Sequence, residues 1–494
     1  MSFSSTNKVR IVTAAALFDG HDAAINIMRR ILQSKGAEII HLGHNRSVHE
    51  IVECAIEEDA QGIAITSYQG GHVEFFKYMK DLLNESGCSH IKIFGGGGGT
   101  ILPSEIEELH NYGITRIYSP DDGRMMGLEG MIEDVIRQTA PPLCQLAEGF
   151  VEEPSDDSRF PLGELRDIKK IARAITLAEN GQDFTAYIIQ LKAESLKLNG
   201  SKNPPLEGGG AVLGITGTGG AGKSSVTDEI VRRFLNVYTD KTIAVISVDP
   251  SKKKTGGALL GDRIRMNSIS SPRAYMRSLA TRESDKALSK YVQEAIDICK
   301  AAAFDFIILE SAGVGQSDAS ILDYVDISMY VMTPEYGAPS QLEKINMLDY
   351  ADVICINKFD KAGALDALHD VRKQYKRNHG LWNAKDEELP IVGTIAAQFN
   401  DAGINELFER LMEKAAEKTG IKFHGEIEHH AHLKNTSSQS TIIPSRRVRY
   451  LSEIAETIKE YDDWVEEQSK ICSKLYQLKG VIKMLENKKT DGND

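Results

Sequence analysis

The chain has 494 residues, too many for one ordinary domain and enough for two or three, each with its own core. Its hydrophobic fraction of 41% and charged fraction of 26% are ordinary, and a net charge of -13 gives no global attraction to nucleic acid or to an anionic membrane, which leaves small-molecule chemistry as the leading expectation. No charged-then-apolar signal pattern opens the sequence, no apolar run is long enough to span a bilayer, and the six cysteines (Cys54, Cys88, Cys144, Cys299, Cys355, Cys472) form no C-x-x-C pair, so a cytoplasmic protein with reduced thiols is expected.

From Lys8 to about Ile136 short apolar runs (VRIVTAAALF, AEIIHLG, GIAITSY, IKIFGGGGG) alternate with helix-like segments, the order of a doubly wound parallel sheet whose ligand binds at the carboxyl ends of the strands. The loop after the first strand reads Phe18-Asp19-Gly20-His21-Asp22-Ala23-Ala24. A neutral imidazole is a good metal ligand when a carboxylate two residues earlier fixes its tautomer through the other ring nitrogen, which makes His21 a candidate ligand and Asp19 its orienter. Ser67 follows the third strand and Gly95 to Gly99 the fourth; Gly96 and Gly97 leave room for a bulky ligand that Ser67 can hydrogen-bond. Equally, a histidine in a loop can be merely solvated and a Gly-rich turn can serve only the fold.

A stretch rich in Pro, Gly and acidic residues follows, in which Glu152, Glu153, Asp156 and Asp157 read as solvated linker charge. Glu164 to Leu198 has helical spacing and no strand signal, and SKNPPLEGGG breaks the chain before Ala211. A second α/β series then runs through AVLGITG, TIAVISVD, FDFIILES, ISMYVMT, DVICINK and PIVGTIA to about Gly420. Its first strand leads into Gly217-Thr218-Gly219-Gly220-Ala221-Gly222-Lys223-Ser224, a phosphate-binding loop before a helix. Here backbone N–H groups curl around phosphate oxygens, Lys223 supplies a charge for the β- and γ-phosphates, and the Ser224 hydroxyl can ligate Mg2+. Asp249, Asp262 and Glu310 lie at or soon after strand ends, where an acid is costly unless it faces a cation, so with Ser224 they form a candidate Mg2+ set. Glu310-Ser311-Ala312-Gly313 has the spacing of a switch element in which the Gly313 N–H meets the γ-phosphate. Arg265 could reach a phosphate or form a surface ion pair with Asp262. Asn357-Lys358-Phe359-Asp360 follows an apolar strand, and the Asp360 carboxylate can accept the N1–H and exocyclic N–H2 donors of guanine, so GTP is preferred over ATP. A polar stretch from His424 to Arg449 holds Glu426, His429, His430 and His432, which read as linker rather than as a metal site, and a long helix with apolar Leu451, Ile454, Ile458, Tyr461 and Val465 wants a partner surface.

The segments Val248 to Met266 (VDPSKKKTGGALLGDRIRM) and Glu310 to Asp318 (ESAGVGQSD) resemble the signatures of the G-protein chaperones of methylmalonyl-CoA mutase, over about Glu164 to Gly420. Lys252 and Lys253 depart from the small or aromatic residues usual there, and Ser311 replaces a threonine. Asp19, His21, Ser67 and the glycines resemble the D-x-H-x-x-G, S-x-L and G-G pattern of cobalamin-binding domains, with Ala24 and Gln69 as departures. The order of the two parts resembles the fused isobutyryl-CoA mutases. The resemblance implies two doubly wound parallel-sheet domains with helical linkers: a flavodoxin-like cobalamin-binding domain (1–140), a linker (141–163), a P-loop GTPase domain with N-terminal helices (164–420), and a linker with a C-terminal helix (421–494). It implies adenosylcobalamin with His21 on cobalt, Mg2+, GTP as substrate, and Lys223, Glu310 and Gly313 as catalytic residues. It implies as partners an acyl-CoA mutase barrel, a second copy in a homodimer, and an adenosyltransferase. No (β/α)8 pattern is present, so the barrel is expected elsewhere, the chain being a truncated fragment or one of two subunits. Two rivals are a corrinoid methyl-carrier with a GTP-driven reactivation domain and a nickel-type metallochaperone GTPase.

Overall fold

The computed structural model describes residues 8–139, 167–198, 209–282, 288–313, 319–421, 423 and 450–490. The first series comprises β1 (Arg10–Ala16), α1 (Asp22–Ser34), β2 (Glu38–Arg46), α2 (Val48–Glu57), β3 (Gly62–Thr66), α3 (His72–Glu85), β4 (Lys92–Gly96), α4 (Pro103–Tyr112), β5 (Arg116–Tyr118) and α5 (Pro120–Thr139). Every residue of β1 is buried, as expected for a parallel strand covered on both faces by helices. α2 starts at a reciprocal cap, the Ser47 hydroxyl accepting from Glu50 N while the Glu50 carboxylate accepts from Ser47 N at 2.9 Å. The sheet runs β5-β4-β3-β1-β2, all parallel, the flavodoxin-like order, and its topological switch lies between the tips of β1 and β3.

The second series comprises α6 (Ile168–Glu179), α7 (Thr185–Leu198), β6 (Ala211–Gly217), α8 (Lys223–Val237), β7 (Ile243–Asp249), β8 (Ala258–Leu260), β9 (Ala274–Ala280), α9 (Val292–Ala301), β10 (Phe306–Glu310), β11 (Ile327–Met332), α10 (Pro339–Leu342), β12 (Val353–Asn357), α11 (Ala364–His379), β13 (Ile391–Thr394) and α12 (Ala402–Thr419). Its parallel sheet has the order β13-β12-β11-β6-β10-β7-β9. The elements β1 to α12 form one compact unit. α13 (Tyr450–Thr490), a single 41-residue helix, forms another. No helix among the described residues is long and apolar enough to cross a membrane.

Three strands are missing from the sequence reading. β5 is only three residues long. β9 carries Arg277 and Ser278, which hide its apolar pattern although every position is buried. β8 belongs by sequence to the second series but pairs with β2 of the first sheet, in parallel, through Glu38↔Ala258, Ile39↔Leu259 and Ile40↔Leu260.

Where the two sheets meet, four arginines and four glutamates are gathered. Arg10 Nη2 lies 2.8 Å from Glu38 and 3.1 Å from Glu179, with Nη1 3.4 Å from Glu58. Arg282 meets Glu38 at 2.9 Å, Arg277 meets Glu179 at 2.7 Å, and Arg263 pairs with Glu57 and Glu58. Glu58 also accepts from the Ser278 hydroxyl at 2.8 Å. Burial pushes the Glu58 carboxyl above its usual range even against Arg10. At Glu38 burial acts the same way, but Arg10 and Arg282 outweigh it and hold the carboxyl low. Buried charges of this kind persist only with well-placed partners. α6, one of the helices assigned by sequence to the second domain, contributes Glu179 to this junction.

Candidate functional site

The nucleotide-type site is built at the tips of β6, β7, β10 and β12. Gly217 ends β6, where a Cβ would come 2.0 Å from the Val331 carbonyl oxygen. Gly222, at φ +89, caps α8, and a Cβ there would meet Asn357 Nδ2 at 2.4 Å. These close approaches draw the phosphate loop and the N-K-x-D segment together: Asn357 Nδ2 donates to Ala221 O at 2.9 Å and Lys358 Nζ to Gly220 O at 2.8 Å. Lys358 itself has φ +59, and Asp360 is exposed beyond the end of β12. Lys223 Nζ is curled onto Gly217 O at 3.2 Å, and its burial lowers the ammonium's pKa despite Glu310, Asp262 and Asp249 nearby. A Cβ on Gly313 would sit 3.1 Å from that Nζ, so the glycine lies beside the lysine that would meet the terminal phosphates. Gly219, Gly220 and Ala221 complete the turn.

Ser224 Oγ donates to Asp262 Oδ1 at 2.9 Å and lies 3.0 Å from Glu310 Oε1. Burial first, then repulsion from Asp262, pushes the Glu310 carboxyl up to about 7. Burial and Asp262 likewise raise Asp249, whose Oδ2 accepts from Gly261 N at 3.0 Å. The three carboxylates form no closed cage around a point. An open set of one hydroxyl and crowded carboxylates suits Mg2+, which keeps several waters and binds phosphate oxygens as well. Arg265 is two-thirds exposed and 4.0 Å from Asp262. Sequence reasoning missed the residues that hold these candidate side chains. Thr227 Oγ1 donates to Glu310 Oε2 at 2.9 Å, Ser247 Oγ to Asp262 Oδ2 at 2.8 Å, and Ala396 N to Asn357 Oδ1 at 3.1 Å. Only Thr227 had a local signal, lying three residues after Ser224 on the same helix face.

The second site lies at the switch point of the first sheet. Asp19 has no exposed side-chain surface; its Oδ1 lies 2.8 Å from His21 Nδ1 and accepts from His21 N at 2.9 Å, while Oδ2 accepts from Tyr68 N at 2.6 Å. Burial would raise this carboxyl, but the N–H donors of Tyr68 and His21 hold it below its usual range. With Nδ1 facing an ionised carboxylate, the proton belongs there and Nε2 is left as a lone-pair donor on a ring that is 68% exposed. Phe18 adopts φ +64 and its N–H is held by Asn45 Oδ1 at 2.9 Å, which shapes the turn.

A cavity of about 220 Å³ opens beside this loop, walled by Thr66, Tyr68, Gly95 to Gly98, Met28 of α1, and Leu128 and Met131 of α5. Thr66 Oγ1 is buried with no hydrogen-bond partner, a polar group suited to a ligand in that cavity. Gly97 is pressed against Ser67, where a Cβ would lie 1.9 Å from the Ser67 carbonyl oxygen. Among the described residues Gly96 and Gly97 line the cavity, whereas Ser67 is 98% covered and its neighbours Thr66 and Tyr68 take the wall. The histidines at 424, 429, 430 and 432, Glu426, the acidic residues at 152, 153, 156 and 157, Cys144, and 314–318 of the switch segment lie outside the described residues.

Two families match the chain: one described as Methylmalonyl Co-A mutase-associated GTPase MeaB over residues 171–448, the other as B12 binding domain over residues 9–126. The fused isobutyryl-CoA mutase of Geobacillus kaustophilus is 54% identical over 478 residues, which is 96% of this chain and 42% of that protein. Those of Cupriavidus metallidurans and Nocardia farcinica are 51% and 47% identical, over 97% and 96% of this chain and 42% of each relative. The chain therefore spans less than half the length of these relatives.

Proposed function

Because the chain belongs to the family of methylmalonyl-CoA mutase-associated GTPases, with a B12-binding domain joined ahead of it, we propose that it binds adenosylcobalamin and hydrolyses GTP to gate the cofactor's loading onto, or retention by, an acyl-CoA mutase barrel. The observation that carries this reading is the presence, in one compact unit, of two prepared donor sets: an exposed imidazole held by a buried carboxylate, and a phosphate loop whose serine faces crowded acids.

In this reading Lys223, Gly313 and the N–H groups of Gly219, Gly220, Ala221 and Gly222 bind the phosphates. Ser224, Asp262, Glu310 and Asp249 hold Mg2+, directly or through its waters. Asp360 selects guanine, while Asn357 and Lys358 fasten that segment to the phosphate loop. Arg265, exposed at the rim, can swing to a phosphate. At the other site His21 Nε2 would hold the cobalt, with Asp19 fixing the tautomer, and the cavity lined by Gly96 and Gly97 would receive the cofactor's nucleotide tail, with Ser67 supporting its wall. Bound cobalamin would supply a weak cobalt–carbon bond; the substrate pocket that exploits it belongs to the barrel.

The test mixes the full chain with adenosylcobalamin and records the visible spectrum, for wild type and His21→Ala, followed by a GTPase assay with Mg2+. A spectral change in wild type that His21→Ala abolishes, together with hydrolysis, is expected. A wild-type spectrum identical to that of the free cofactor overturns the cobalamin half of the reading.

A further inference from the structure

The segment between Asp249 and Arg265 begins and ends at the nucleotide-type site but passes through the other sheet on the way. After Asp249 the chain turns against the first domain, where Thr255 Oγ1 donates to Gln33 O and a Cβ on Gly257 would lie 2.1 Å from that same oxygen. It then runs as β8 beside β2 and returns where Gly261 N donates to Asp249 Oδ2. The next two side chains part company. Asp262 reaches Ser224 and Ser247, at 2.9 and 2.8 Å. Arg263 points the opposite way, 7% exposed, toward the first domain, where it pairs with Glu57 and lies 3.4 Å from Glu58 Oε1, and it also donates at 3.1 Å to Met276 O on β9 of the second sheet. Ile264 follows it: a Cβ on Gly43 of β2 would lie 2.8 Å from Ile264 Cδ1, and Ile264 O accepts from Arg46 at 3.4 Å.

We propose that Arg263 is a positioning residue for the cation site: anchored by Glu57 and Glu58 of the first domain, it sets where Asp262 stands relative to Ser224, so the cation affinity of the GTPase depends on docking to the cobalamin-type domain. This rests on reading Asp262 as a cation ligand. The physical reason is that a guanidinium this deeply buried cannot leave its carboxylates without a large loss, and adjacent residues of one chain cannot move independently. A rearrangement at the end of α2 must therefore shift Asp262, and by linkage a cation at Asp262 must bias how the two domains dock.

The test loads the full chain with GDP and measures Mn2+ affinity by electron paramagnetic resonance, beside GDP affinity in a chelator. In Arg263→Met and in Glu57→Gln, the Mn2+ dissociation constant is expected to rise about tenfold, the scale of losses when a group supporting a metal ligand is removed. GDP affinity without metal should stay unchanged, and Arg263→Lys should recover part of the loss. Glu57→Gln keeps the side chain's volume, so it decides the matter if Arg263→Met does not fold. Unchanged Mn2+ affinity in a folded variant overturns the proposal. Asp262→Asn separates the premise: if it leaves Mn2+ binding intact, the reading of Asp262 as a ligand fails, whereas loss there with none in Arg263→Met and Glu57→Gln sinks only the positioning role.

Discussion

The orientation of His21 depends on a single carboxylate that serves three donors at once, so Asp19→Asn should weaken corrinoid binding by about tenfold without unfolding the sheet, as loss of a group behind a metal ligand does; absorbance titration against the wild type checks this. At the nucleotide-type site, two charge-assisted hydrogen bonds from a bound guanine to Asp360, as proposed above, would be worth about 3 kcal/mol, and Asp360→Asn should lower GTP affinity by roughly 100-fold while improving affinity for xanthosine triphosphate, because an amide can donate where xanthine offers an oxygen. Competition with a fluorescent nucleotide reads both. His41, on β2 and 3.0 Å from the Thr13 hydroxyl, gives a pH signature. Burial and then Arg29 push its imidazole down to about 4, so it stays neutral in the folded chain while the unfolded chain takes up a proton near 6.5. Stability from this group is complete above about 6.5 and is lost as the pH falls toward about 4, at most about 3 kcal/mol in all. Urea midpoints from pH 7.5 to 4.5 should show that slope, and His41→Asn should flatten it.

Among the elements, the turn after β4 is the most demanding. A Cβ on Gly97 would lie 1.9 Å from a backbone carbonyl oxygen, which no rotamer change relieves. Gly97→Ala should cost about 1–3 kcal/mol of stability, read from the thermal midpoint, and should weaken corrinoid binding because the strain falls on the cavity wall. A variant with wild-type stability would show that the β3 and β4 tips can separate. The apolar runs of β1, β3, β6 and β10 were legible as strands because both faces of a parallel sheet are covered. β9 was not, because Arg277 is stabilised there by Glu179 and Thr176, partners on α6 that lie about a hundred positions earlier in the chain. β8, three residues long between glycine-rich turns, carries no periodicity of its own.

On the scale of the whole molecule, the junction between the two sheets is held by ion pairs that are mostly buried. Arg10→Met would leave Glu38, Glu58 and Glu179 short of a counter-charge, and should cost about 3–5 kcal/mol. If the junction couples the sheets, urea unfolding of the variant should separate into two transitions where the wild type shows one; a single transition at an unchanged midpoint would refute this. The four buried cysteines at 54, 88, 299 and 355 sit within the cores and form no disulfide among the described residues, and burial pushes Cys54 up to about 12, so it should resist alkylation in the native chain.

What the sequence by itself determined is the chemistry carried by contiguous residues: two doubly wound sheets from runs of buried strands, a phosphate loop from glycines ahead of Lys223 and Ser224, the N-K-x-D segment that ends in Asp360, and the pairing of Asp19 with His21 two residues apart. Tertiary structure alone decided what depends on residues distant in the chain. It placed α5 as the far wall of the cavity, Ser247 behind Asp262, Ala396 behind Asn357, and β8 on a sheet of the other domain. The reason is physical: a backbone turn or an i, i+2 contact is encoded locally, whereas a buried charge such as Arg263 is tolerable only beside its counter-charge at Glu57, 206 positions away, and that choice of partner exists only in the folded chain.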